Sequence, residues 1–406
     1  MKRGRSRASS TIRKLLLLAL PATLLAGAVL VLAIELWVRT HWDYSRGTPG
    51  FYESDAIRGQ RLAAGYHGWF AGVPVEVNAL GFRDNRQYTL EKSPGTFRIL
   101  VLGDSVTFGH GATYETTYPY LVEQRLRAWR RDITWQVWNL GVPGYNTRQE
   151  LSYLQEVGPI YKPDLVVVGF YPNDLMGDNM PVSPGVIRRA VSGALRAMQR
   201  HLYSFEFYKR VYLTARYRLM TRDSDRRRLE QLSDESSLLE RRPDKAEEDQ
   251  RLYQADYFDD EQVRDFICIG APPVDQESEG ELRPKLRAAT PDVAPWLDAV
   301  HELQRLNQQG VYRVVFFINM APELCGGQDR FYNAGSLADD AAYLEVFRKA
   351  APAVSSARAF LHRRPSQMPG AVAHSFGNAN QVKADVLFEF LRSEILPSLL
   401  PLAGGS

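Results

Sequence analysis

A serine that ends an apolar run and a histidine that precedes a late helix are the residues of this chain best suited to covalent chemistry. Ser105 stands in FRILVLGDSVTFGHG (97–111), where the apolar run stops abruptly at Gly103-Asp104-Ser105. Open α/β sheets place their chemistry just past the carboxyl ends of their strands. A serine hydroxyl becomes an effective nucleophile once a neighbouring base takes its proton, and His374 is the candidate for that base. Two further residues sit at equivalent places. Gly141 follows a second apolar run in NLGVPGYNT (139–147), and Asn173 follows a third in GFYPNDL (169–175). The chemistry such a set would carry is acyl transfer, in which a hydroxyl attacks a carbonyl and nearby donors hold the oxyanion that forms.

These residues need a sheet beneath them. Residues 99–102, 134–140 and 165–170 read as buried strands, being apolar runs bounded by turn-forming residues. Between them, 117–131 has helical spacing of Tyr120, Leu121, Leu126 and Trp129. The stretch 147–157 reads as a helix, with Thr147 as N-cap and Glu150 as its capping-box partner. A helix near 293–308, a strand at 313–319 and a last helix at about 380–396 follow. Strands and helices alternating through short connections predict a three-layer α/β fold on a doubly wound parallel sheet. Gly103 permits the turn into Ser105, and Asp104 is expected to fix that turn rather than to enter the chemistry.

The four blocks LVLGDS (100–105), NLG, PND and AHSFGN, in this order, resemble those of the GDSL/SGNH hydrolase superfamily over about 97–174 and 370–395. The segments NALGFRD (78–84) and GVPGYNTRQEL (141–151) are similar to a membrane-anchored or secreted bacterial branch of it. The resemblance implies a flavodoxin-like sheet of SGNH hydrolase type and an esterase activity, with neither metal nor cofactor. It implies Ser105 and His374 as catalytic residues, and an oxyanion hole made by the backbone N–H of Ser105, the N–H of Gly141 and the side-chain amide of Asn173. His374 is preferred among seven histidines because Ala384, ten residues on, lies in an apolar-periodic helix, as in the family's last block. His110 is close enough in sequence to line the site, whereas His41, His201, His301 and His362 read as structural or solvent-facing. One departure stands out. The family places an aspartate three residues before the histidine, to orient the ring; here that residue is Ala371. Three readings follow: a backbone carbonyl orients the ring, Asp339 or Asp340 folds back to replace the acid, or catalysis is lost and the fold is kept for binding or assembly.

Charge and hydropathy place this domain. The chain carries a net +3, but residues 1–14 hold six basic and no acidic side chains, so the remainder is net −3 and nothing marks it as a nucleic-acid binder. Residues 15–34 are uncharged and mostly aliphatic, and at about 1.5 Å per residue they span the core of a bilayer. The expected organisation is a cytoplasmic basic tail (1–14), a transmembrane anchor (15–36) and a juxtamembrane linker with a small subdomain (37–96). The SGNH-like domain follows (97–185 and 291–400), interrupted by a charged helical insertion (186–290), of which 223–249 reads as a solvated stretch of mixed charge. A cleavable signal peptide, cut near Ala26-Gly27-Ala28, is the rival to the anchor. Either way the domain is extracytoplasmic, and O-acyl esters of envelope carbohydrate or lipid become the expected substrates. The alternative within catalysis is an O-acetyltransferase acting on a polysaccharide. Residues 186–222 carry nine basic side chains against Glu206 alone, which suits either a solvated face or anionic lipid headgroups. Cys268 and Cys325 could pair or remain thiols.

Overall fold

The computed structural model describes residues 4–42, 47–175, 198, 200–205, 207, 208, 211, 215, 245–254, 293–321, 334–361, 363, 364, 366, 368 and 374–400. Both cysteines, Ala371, His362 and most of 186–244 lie outside the described residues. The chain divides into two units. One holds α1 (Gly4–His41) together with residues 185–242. The stretch Ala19–His41 of α1 is long and apolar enough to cross a membrane, and most of its side chains, Leu24, Leu25 and Leu32 among them, are exposed. Near its end the buried Glu35 carboxylate accepts hydrogen bonds from Tyr203 N–H (3.1 Å), Ser204 N–H (2.8 Å) and Ser204 Oγ (2.5 Å). Trp42 meets Tyr203 edge-on at 5.5 Å. Residues 203 and 204, within the basic segment 186–222, are thus fastened to the end of the apolar helix.

In the other unit two antiparallel hairpins come first, β1 (Tyr52–Asp55) with β2 (Gly59–Leu62) and β3 (His67–Phe70) with β4 (Val73–Glu76). The main sheet follows: β5 (Thr96–Gly103), β6 (Thr134–Gly141), β7 (Leu165–Phe170), β8 (Val314–Ile318) and β9 (Ala353–Ser355). All pairings are parallel, in the order β6-β5-β7-β8-β9. The helices among the described residues of this unit are α2 (Ser105–Phe108), α3 (Tyr118–Trp129), α4 (Thr147–Tyr161), α5 (Lys245–Gln254), α6 (Ala294–Gln308), α7 (Ala334–Ala350) and α8 (Asn378–Phe390).

Side chains alternate across a strand, and on these strands both sets are apolar, so both faces must be covered. Leu100, Leu102, Trp138, Leu140, Val166 and Val168 face the α4, α6 and α7 side, against Leu154, Val300 and Phe347. Ile99, Val101, Val137 and Val167 face the α3 and α8 side, against Leu121, Leu126, Ala384 and Leu387. α3 and α4 leave the sheet on opposite faces, so the strand order reverses at β5, where a crevice opens beyond the strand ends.

Two local expectations change. The α4 cap is Asn146, not Thr147: its side chain accepts the Gln149 N–H while the Gln149 side chain returns to the Asn146 N–H. Glu150 is therefore released from capping and is buried. The charged stretch before residue 250 is also not wholly solvated, since α5 forms there and Asp249 is fully buried.

A row of glycines closes the carboxyl edge of the sheet. Gly103 is in register with Gly141 on one side and Gly169 on the other. A Cβ on Gly103 would lie 2.0 Å from Thr107 Oγ1, one on Gly169 2.4 Å from the same atom, and one on Gly141 2.3 Å from the Phe108 backbone nitrogen. The three bare backbones let α2 sit directly on the strand ends. Replacing Gly141 by alanine should therefore displace α2, because the obstructing atom is main chain. The expected cost is about 1–3 kcal/mol, read as a lowered melting temperature of the detergent-solubilised full chain. An unchanged melting temperature would refute this packing.

Candidate active site

The glycine row explains where Ser105 points. Asp104 is the N-cap of α2, its Oδ1 accepting the Val106 N–H at 2.8 Å, so the expectation that it fixes the turn holds. Ser105 then begins the helix, nearly buried, at the crevice where β5 and β7 end. Sequence reasoning placed His374 269 residues away in the same site, and the fold brings them together: His374 Nε2 lies 2.9 Å from Ser105 Oγ. That is the reach a general base needs. His110, considered only as a lining residue, stacks on the His374 ring with centroids 4.1 Å apart and planes 20° from parallel.

Asn173 lies in the single turn Pro172–Leu175 after β7 and donates from Nδ2 to Asp104 Oδ2 at 2.9 Å. A primary amide has two N–H donors, so one remains for the site. Burial pushes the Asp104 carboxyl above its ordinary range, while hydrogen bonds from Asn173, Val106 and Ser105 and the nearby His374 act against that. The Ser105 hydroxyl also lies 3.3 Å from Asp104 Oδ2. It has a single proton, and the shorter approach is to His374.

Gly141 is where the structure corrects the expected oxyanion hole. Its N–H donates to Asn139 Oδ1 at 3.0 Å, so that donor is already used, and its lack of a side chain serves α2 rather than a substrate. Asn139 also donates to the carbonyls of Thr107 (2.9 Å) and Phe108 (3.3 Å), stitching α2 to β6. On the turn beyond, Gly144 is exposed with φ +85°, and its N–H makes no hydrogen bond among the described residues. Neither Asn139 nor Gly144 was singled out from the sequence, although both lie in NLGVPGYNT. Asp340 does not replace the missing acid; its carboxylate is buried against Ser355 Oγ on β9, and the Asp339 side chain lies outside the described residues.

Buried charges surround the site. Burial pushes the Lys383 amine down to about 7, with Asp104 acting the other way; among the described residues Nζ reaches the Asn319 carbonyl alone, at 3.4 Å. Asp174 and Glu150 are both raised well above the usual carboxylate range, first by burial and then by neighbouring carboxylates. Among the described residues neither Glu150 oxygen has a hydrogen-bond partner. A carboxyl whose folded value is raised gives its full share of stability below its unfolded value, and that share is lost as pH rises through the folded value. Glu150→Gln should therefore matter little at pH 4 and should raise the melting temperature relative to wild type at pH 8. A difference that does not grow with pH would show that Glu150 is not held neutral.

Comparison with known proteins agrees with this geometry. The model of the GDSL-like lipase/acylhydrolase family matches residues 101–257, the stretch that carries Ser105, Gly141 and Asn173. Over this stretch the chain is similar to that family, and the match supports an ester-bond hydrolase of the GDSL type. Among solved structures, an α/β hydrolase enzyme from the metagenome of Lake Arreo, Spain, is similar at 14% identity and TM-score 0.36, over 75% of this chain and 97% of that one. An acetyl xylan esterase variant from Geobacillus stearothermophilus is similar at 12% identity and TM-score 0.37, over 73% and 93%. An SGNH-hydrolase family esterase reaches 31% identity, over 27% of this chain and 56% of its own, at TM-score 0.19. No match is found among curated proteins.

Proposed function

We propose that the protein is a membrane-anchored serine esterase that cleaves O-acyl esters of envelope carbohydrate or lipid through an acyl-enzyme on Ser105. The carrying observation is the 2.9 Å approach of His374 Nε2 to Ser105 Oγ, which a fold kept only for binding has no need of. His374 takes the hydroxyl proton as Oγ bonds to the acyl carbon, and the carbonyl oxygen becomes an oxyanion. The Ser105 N–H and the second Asn173 amide proton are the donors for that oxyanion. Gly144, on the turn after β6, supplies the third donor in place of Gly141. Collapse breaks the ester C–O bond, and His374 returns its proton to the departing alcohol. Water then repeats the sequence on the acyl-enzyme, releasing the acid and restoring Ser105.

The membrane placement rests on the apolar Ala19–His41 stretch and the basic flank before it. The basic 186–222 segment would then meet anionic headgroups, as its attachment to the end of α1 through Glu35 supports. Water and a sugar hydroxyl compete for the same acyl-enzyme, so transfer to an acceptor is an outcome of the test below.

A fluorophosphonate should label the full chain in detergent at Ser105, and Ser105→Ala should abolish labelling. His374→Ala should slow it to near background. Asn173→Ala should lower kcat for p-nitrophenyl acetate by about 100- to 1,000-fold with little change in KM. Failure of wild type to label would end the acyl-enzyme reading. Labelling with turnover only after a sugar acceptor is added would identify a transferase.

A further inference from the structure

The active-site histidine lacks an aspartate at the position three residues before it, where Ala371 stands, and the structure offers another way to hold the ring. Asp249, on α5 of the insertion, is fully buried and accepts four hydrogen bonds. Its Oδ1 takes the Gly377 N–H at 2.6 Å. Its Oδ2 takes the Thr113 N–H (2.8 Å), Thr113 Oγ1 (2.8 Å) and Thr116 Oγ1 (2.6 Å). The two main-chain donors have a common relation to the site: Gly377 lies three residues beyond His374, and Thr113 three residues beyond His110. One carboxylate therefore bridges the loops that present the two stacked rings.

The contact is built from both sides. Gly377 has φ +57°, and a Cβ there would lie 2.6 Å from Leu252 Cβ and 3.2 Å from the Leu252 carbonyl carbon, so α5 rests against bare main chain. Gln250 Nε2 donates to Thr113 Oγ1 at 2.7 Å, and Gln381 Nε2 donates to the Tyr253 carbonyl at 2.9 Å. Across the His110 loop, the buried Arg83 guanidinium donates to the carbonyls of Phe108 (2.7 Å), Gly109 (2.7 Å) and Ala112 (2.6 Å). The Phe70 ring meets His110 edge-on at 5.2 Å. His110 is thus gripped by its main chain and by one ring, and presents a flat face to His374.

We propose that Asp249 and His110 are positioning residues for His374, Asp249 by tying its loop to that of His110 and His110 by stacking on its ring. Together they take the orienting role that the family gives to a carboxylate at the position of Ala371. The inference rests on the Ser105–His374 reading above, and it assigns the insertion a part in catalysis. A carboxylate orients an imidazole through one N–H; a stacked ring face and a loop of fixed path constrain the plane and position of the ring itself. A misplacement of about 1 Å costs on the order of 100-fold in rate.

The test uses the full chain in detergent, with Asp249→Asn, Thr113→Val, His110→Phe and His110→Ala. Hydrogen exchange at Gly377 and hydrolysis of p-nitrophenyl acetate are measured for each. Asp249→Asn should speed exchange at Gly377 and lower kcat by about 10- to 100-fold with KM unchanged, the pattern of lost transition-state alignment. His110→Ala should show a similar fall in kcat, and His110→Phe should recover most of it, because the ring face is kept. Thr113→Val removes a single donor and should give the same split more weakly; it decides the matter if Asp249→Asn fails to fold. Unchanged exchange at Gly377 overturns the tie through Asp249 whether or not the chain hydrolyses esters. Equal loss in His110→Phe and His110→Ala overturns the stacking role. A wild type inert to ester and fluorophosphonate alike, with Gly377 released in Asp249→Asn, would fail the hydrolase reading and reduce Asp249 to a structural tie.

Discussion

The close approach of α2 to three strand ends is the constraint on which the site depends. A helix normally packs on a sheet across a layer of side chains; here its first turn meets main chain at Gly103, Gly141 and Gly169. This brings Ser105 to the edge of β5 with its orientation set by backbone contacts rather than by rotamers. It also brings the carbonyls of Thr107 and Phe108 within reach of Asn139. The same asparagine takes the Gly141 N–H, which is why that donor is spent. Packing and hydrogen bonding here have one cause, and neither stands without the absence of three Cβ atoms.

Much of this architecture is legible in the sequence, for a physical reason. The central strands are covered on both faces, so they appear as unbroken apolar runs, and the residue after each run marks the site edge. Ser105 and Asn173 could be found in that way. His374 needed the spacing to Ala384, since a loop histidine has no periodicity of its own. The cap of α4 was misread by one residue because Asn146 and Thr147 are both good caps, and only the path of the chain decides which one turns. The role of Gly141 was misread because a glycine at a strand end serves a substrate or a neighbouring helix equally well. Gly169 gave no signal within an apolar run. Asp249 could not have been found: in a stretch of mixed charge, nothing local separates a solvated carboxylate from one that folds into the core.

The interior charges follow a common logic. Ionised groups taken from water are costly unless compensated by hydrogen bonds or opposite charge. Arg83 and Asp249 are compensated: three carbonyls receive one, four donors serve the other, and their charges favour each other. Glu150, Asp174 and Lys383 are compensated poorly, and burial drives each toward its neutral form. The well-paired charges grip the loops around the two histidines. The poorly paired ones lie close to Asp104, whose own carboxyl burial also pushes up while three hydrogen bonds and the nearby His374 act against that.

This division bears on how a serine hydrolase of this fold can do without an aspartate before its histidine. A carboxylate on the imidazole both orients the ring and stabilises the cation formed when the ring takes a proton. Asp249 cannot do the second directly, since its oxygens are filled by Gly377, Thr113 and Thr116. Asp104, beside Ser105, is the acid whose field favours a positive His374. On the proposed reading, orientation is the work of Asp249, on the insertion, and the carboxylate that favours the cation is Asp104, on the strand-end turn. The insertion reaches α5 directly from the residues grouped with the apolar helix, which end at Arg242, while α5 begins at Lys245. Asp249 thus enters the hydrolase core on a helix that follows closely in sequence on that other unit.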